Sequence, residues 1–112
     1  TGHGQDPARQ NAAEFLPADR TVTVNGRTFE NRLWKTDCYL NPCRPQGGTW
    51  KYDRAGWAPG DVVTPWEIDL SDIIRPGEDC TITYRPMPYT NDARDKAKAS
   101  HWVEVQLIQY GE

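Results

Sequence analysis

Only two histidines and one methionine occur in the 112 residues, too few to build the ligand sets of a copper monooxygenase. There is no His-Glu-x-x-His, no Gly-x-Ser-x-Gly and no phosphate-binding glycine loop, so the common zinc hydrolase, serine hydrolase and nucleotide signatures are all missing. Three cysteines, at positions 38, 43 and 80, do not have the spacing of a zinc knuckle. No metal site and no cofactor is expected. No apolar run approaches the roughly 20 residues that span a bilayer as a helix. The net charge is −3, and basic residues alternate with acids, as in Asp92–Lys98, so the basic patch of a nucleic-acid binder is missing too.

Turns and rings are plentiful instead. Nine glycines and nine prolines cut the chain into short pieces, and five tryptophans and five tyrosines are present. The length fits one domain with one core. Most of the tryptophans read as core residues. Flat aromatic rings also cover the C–H faces of sugars, and composition leaves both uses open.

Thr21-Val-Thr-Val24 alternates with period two and runs into Asn25-Gly26, the strongest short hairpin signal, because both turn residues tolerate positive φ. The pattern predicts an antiparallel pair with Thr28–Leu33, with Val22 and Val24 on one face. Asp37 to Gly60 reads as a long loop containing Trp50, Tyr52 and Trp57. Loops of that length in a compact domain are often functional, and to stay ordered they must bury something. Trp50 and Trp57 are expected to hold this one onto the sheet. Val62–Leu70 carries apolar residues and leads to a turn at Arg75-Pro76-Gly77. Cys80–Tyr84 alternates again, and Trp102–Tyr110 is the longest strand candidate. Short strands separated by turns predict an all-β domain, a jelly roll or β-sandwich of antiparallel strands with a long packed loop.

Taken singly, the polar candidates are ordinary. Glu14 is an acid among apolar neighbours and reads first as surface. Asp53-Arg54 reads equally as an ion pair under a turn or as functional. His3, between two glycines, reads as exposed, and His101 as unremarkable. Cys38 and Cys43 are close enough in sequence for a small loop disulfide, which spacing alone does not select. The opening Thr1-Gly-His-Gly4 reads like the interior of a longer protein.

Taken in order, the segments stop being anonymous. Ala12-Ala-Glu-Phe-Leu16, Thr21-Val-Thr-Val-Asn-Gly26, Asp37-Cys38, Asn41-Pro42, Gln46-Gly-Gly-Thr-Trp50 and Asp53-Arg-Ala-Gly-Trp-Ala-Pro-Gly60 together resemble the C-terminal domain of the bacterial peptide:N-glycosidase F family. The resemblance runs through almost the whole chain, and the last element is its most specific part. It implies a jelly roll over residues 1–112, one half of a two-jelly-roll secreted or periplasmic amidase, with the active site in the cleft between the halves. Such enzymes cleave the amide bond between asparagine and the first sugar of an N-linked glycan. An N-terminal jelly roll, absent from this chain, would carry the primary aspartate.

The same resemblance puts the family's second-domain glutamate on Glu14, as the catalytic residue of this half, and a cleft arginine on Arg54. Phe15 stands where the type member has Trp, and His3 where it has another, so Arg54, Phe15 and His3 become the substrate-binding candidates. Two cysteines that flank the glutamate in the type member are Ala12 and Leu16 here. The family partner of Cys38 is Ala58 here, leaving Cys43 as the expected partner and Cys80 free and buried. The implied ligand is an N-linked glycan or glycopeptide. The alternative is a non-catalytic extracellular module that binds glycan or packs against neighbours.

Overall fold

The computed structural model describes Glu14, Phe15 and residues 17–87 and 101–111. Strands β1 (Ala18–Val24), β2 (Arg27–Leu33) and β3 (Ile82–Pro86) form one antiparallel sheet in the order β2-β1-β3. Asn25 at φ 48° and Gly26 at φ 86° make the tight turn, and Val24↔Arg27 closes the hairpin. The expected pairing of β1 with Thr28–Leu33 is present residue for residue.

Cross-strand partners share a face. One face therefore carries Ala18, Val22 and Val24 with Phe29, Leu33, Ile82 and Tyr84, and Val24 is fully buried. Arg20 belongs to this face as well. Its Nε donates to Asn31 Oδ1 at 3.0 Å, and its guanidinium lies 5.2 Å from the centre of the Trp66 ring. His101 stacks on Tyr84, with ring centres 5.7 Å apart and Nε2 2.6 Å from the phenol oxygen. The opposite face is polar: Asp19 pairs with Arg32 at 2.9 Å and Thr23 hydrogen-bonds Thr28 at 3.0 Å. The Arg32 hydrogen bond holds the Asp19 carboxyl below its ordinary range.

The third strand begins later than its alternation predicts, at Ile82 rather than Cys80. Asn25 is the cause: its N–H donates to the Thr81 carbonyl at 3.1 Å and its Oδ1 accepts the Thr81 N–H at 3.0 Å. Thr81 is thus consumed by the hairpin turn, and pairing starts at Val24↔Ile82. The strand ends on Pro86, which suits an outer strand because no ladder bond is asked of its nitrogen.

Residues 102–110 form no strand, contrary to expectation. Trp102 is 88 % exposed and Tyr110 91 %. The segment is apolar at both phases toward its end, so a strand there needs cover on two faces as well as a strand edge. Among the described residues no second layer covers it, and it does not pair with either open edge of the sheet. Among the described residues the architecture is all-β and antiparallel, but it does not close into a sandwich. No helix among them is long and apolar enough to cross a membrane.

The long loop is packed, though not by the residues expected. After β2, Lys35 and Arg54 form an isolated antiparallel bridge, Lys35 N–H to Arg54 O at 2.7 Å and Arg54 N–H to Lys35 O at 3.1 Å. A 3-10 turn, Cys38–Leu40, follows. Cys38, Asn41, Arg54, Ala55 and Ala58 are buried, whereas Trp57 is half exposed and Trp50 only half-buried. Small and polar residues fill this interior because the chain crosses itself closely. At Gly60 (φ +80°) an added Cβ would sit 2.6 Å from Asn41 Oδ1.

The disulfide expected between Cys38 and Cys43 is not formed: all three thiols are free. Cys38 points inward and donates to the Lys35 carbonyl at 3.5 Å, while Cys43 is exposed, so the two side chains face different environments. Burial, reinforced by the Asp53 carboxylate, pushes the Cys38 thiol above its ordinary value, which keeps it protonated and unreactive. Cys80 is half-buried rather than buried.

Candidate functional site

Residues 14 and 54 are far apart in sequence and meet because two chain crossings bring them together. The Lys35–Arg54 bridge anchors residue 54 to the end of the hairpin. The next N–H, from Ala55, donates to the Glu14 carbonyl at 2.8 Å and fixes the backbone of Glu14 beside it. Glu14 Oε1 then accepts from Arg54 Nη1 at 2.8 Å. Glu14 is held at both its backbone and its carboxylate.

The rest of the guanidinium is turned into the loop. Nε donates to the Tyr52 carbonyl at 3.3 Å, and Nη2 donates to the Thr49 carbonyl and, at 3.3 Å, to the Thr49 hydroxyl. Thr49 and Tyr52 are the ends of one turn, closed by Tyr52 N–H to Thr49 O at 3.1 Å. The Phe15 ring completes the enclosure, its centre 5.3 Å from the guanidinium carbon, and Tyr52 meets Phe15 edge-on at 6.3 Å and 84°. A guanidinium stacked on a ring and hydrogen-bonded on each nitrogen has few ways to move.

Exposure separates the two charges. The Arg54 side chain is 4 % exposed and that of Glu14 is 20 % exposed. The pair thus meets in a half-buried site, not on an open edge. The ion pair read at Asp53-Arg54 is not made within the dipeptide: the partner of the arginine is Glu14. A carboxylate with one oxygen fixed by a buried cation still has acceptor capacity for a water or an amide N–H. Such an oriented acceptor is what general-base or substrate-orienting chemistry requires.

Glu14, Phe15 and Arg54, singled out from sequence, are therefore in mutual contact. His3 lies outside the described residues. Sequence reading missed Thr49 and Tyr52, whose contribution to the arginine comes mainly through backbone carbonyls. Their place in the run Gln46 to Arg54 was the only available signal. Among the described residues, no three His, Cys, Asp or Glu side chains come together to hold a metal ion.

Comparison with known proteins bears on this site. The family profile described as Peptide-N-glycosidase F, C terminal, matches residues 1–108. One curated relative, the peptide-N(4)-(N-acetyl-beta-D-glucosaminyl)asparagine amidase F of Elizabethkingia miricola, is 33 % identical over 95 residues. That match covers 81 % of this chain and 27 % of the relative, so the chain spans about a quarter of the relative's length. No solved structure matches the chain. With the profile spanning nearly all of it, the chain belongs to the family of the peptide-N-glycosidase F C-terminal domain.

Proposed function

We propose that this domain is the second jelly roll of a bacterial glycoamidase, contributing Glu14 to a cleft that hydrolyses the asparagine–N-acetylglucosamine amide of N-glycans. The observation that carries the reading is the Glu14–Arg54 ion pair at 2.8 Å, with its guanidinium buried and its carboxylate partly exposed. It is supported by family membership and by the name of the Elizabethkingia relative. Water attacks the amide carbonyl, a carboxylate orients or deprotonates that water, and the C–N bond breaks to leave a peptide aspartate and release the protonated glycosylamine. Arg54 serves chiefly to hold Glu14, since its donors are directed at Glu14, Thr49 and Tyr52. Phe15 and His3 complete the proposed substrate surface. The primary aspartate belongs to an N-terminal jelly roll packed beside this one, in a secreted or periplasmic protein. No cofactor takes part.

The test is glycan release from a denatured glycopeptide, measured for this chain alone and for the product of the whole reading frame that encodes it. The chain alone releases nothing. The whole product is active, and Glu14→Gln lowers its rate by at least about 100-fold, the lower range for a positioned acid or base. Turnover by the chain alone that Glu14→Gln abolishes would overturn the division of labour between two jelly rolls. Silence of the whole product would favour the second reading, a non-catalytic glycan-binding module. That reading draws on the exposed rings of Tyr52 and Trp57, 64 % and 50 % exposed on the same loop.

A further inference from the structure

We infer that Tyr52 is a specificity-determining residue of this site, its ring a platform for the pyranose next to the scissile amide. The inference rests on the glycoamidase reading above and adds a residue to it. Tyr52 is 64 % exposed, while Arg54 and Ala55, just beyond it, are each 3 % exposed. Its exposure is not looseness. The Tyr52 N–H donates to Thr49 O at 3.1 Å, its carbonyl accepts Arg54 Nε at 3.3 Å, and its ring abuts Phe15 at 6.3 Å. An aromatic ring thus sits on a hydrogen-bonded turn, edge-on to Phe15 and with much of its surface open to water, two positions before the arginine of the half-buried ion pair.

The direction of the contacts also matters. From Tyr52 the chain of contacts runs to Phe15, from Phe15 to the Arg54 guanidinium, and from Arg54 to Glu14. A substrate whose amide lies at Glu14 would place its first ring against the aromatic end of this line. The axial hydrogens of a β-linked N-acetylglucosamine present an apolar face that a flat ring covers, removing nonpolar area from water. Tyr39 and Trp57 are also exposed on this loop, each at 50 %, but less so than Tyr52. Trp50 already carries the Lys51 ammonium 5.5 Å from its centre, and among the described residues the ring that touches Phe15 is that of Tyr52.

The experiment uses the product of the whole reading frame, with N,N′-diacetylchitobiose as a calorimetric probe and a denatured glycopeptide as substrate. Tyr52→Ala weakens disaccharide binding about tenfold and raises KM by a similar factor, with kcat within about twofold. Tyr52→Phe keeps the ring and behaves as wild type, and both variants melt at the wild-type temperature. Unchanged Kd and KM in Tyr52→Ala would overturn the platform. So would a loss of kcat or of thermal stability with Kd unchanged, which marks a structural residue. Should the wild-type protein release no glycan, the glycoamidase reading fails and the titration decides alone. Weaker disaccharide binding by Tyr52→Ala, restored in Tyr52→Phe, supports the platform, whereas equal binding, or none by the wild type, discards it.

Discussion

In the three strands, hydrogen bonds run from backbone to backbone, and side chains decide which face is wet. In residues 35–62 the pattern is reversed: side chains supply many of the bonds, and the backbone largely receives them. Arg54 grips two carbonyls and Glu14, Asn41 Nδ2 donates to the Cys38 carbonyl at 3.1 Å, and Lys35 joins Asp61 at 3.3 Å and the Val62 carbonyl at 3.1 Å. A sheet built on the ladder tolerates many side-chain exchanges. A loop built on buried polar groups does not, because each lost partner leaves another group desolvated and unpaired. The difference bears on function, since the second kind of construction surrounds Glu14.

The sharpest way to break the contrast is Arg54→Met. It removes the partners of Glu14, Thr49 and Tyr52 together and costs about 3 kcal/mol, the low end for breaking a buried pair, since Glu14 keeps some contact with water. Urea denaturation measures this directly. Arg54→Lys recovers little, because one ammonium nitrogen cannot reach the acceptors that Nε, Nη1 and Nη2 meet separately. A change below about 1 kcal/mol in Arg54→Met would mean that the loop has other supports.

A smaller effect is expected from Gly26→Ala. The position has φ +86° and open space around it, so the cost is conformational, about 1 kcal/mol. Faster amide exchange should appear along β1 and β2, while the amides of Lys35 and Arg54 keep more of their protection. Uniform loss across both regions would show that they unfold as one unit.

The smallest effect concerns pH. Partial desolvation of the exposed His101 ring, helped by the Arg20 charge, lowers its pKa from its ordinary 6.5. Its neutral form is thus favoured on folding. The contribution of the Tyr84–His101 contact is fully present above pH 6.5 and declines as pH falls through the lower, folded-state value. An NMR titration of the imidazole should find its midpoint below 6.5, and His101→Gln should flatten that part of the stability profile. A midpoint above 6.5 would reverse the sign.

What could be read from sequence follows the same division. The hairpin was legible because Thr21–Val24 and Asn25-Gly26 carry a local rule, period two joined to a turn. Cys80 falls outside the strand that its alternation predicts because the residue that claims Thr81, Asn25, lies 56 positions away. Trp102–Tyr110 has strand composition without a neighbour, and composition cannot supply one. In the loop, aromatic size suggested that Trp50 and Trp57 do the packing, yet the close crossing at Gly60 leaves room for Ala55, Ala58 and Asn41. Glu14 and Arg54 were found through resemblance, since nothing in their spacing demands contact. The turn that orients the arginine acts largely through carbonyls, which every residue possesses, so its identity is silent.

Asn25 joins two events that differ in time. Its backbone closes a hairpin whose ends are neighbours in sequence, a step of microseconds in small chains. Its side chain then receives Thr81 from across 56 residues. The entropy of closing so large a circuit grows only logarithmically with length, but the search is slow because the intervening chain must be gathered first. Local pairing is therefore expected to precede the docking of β3, and the Asn25 amide is where the two contacts meet. Exchanging Asn25 for Gly would leave the early step nearly untouched while removing the side-chain amide that accepts the Thr81 N–H.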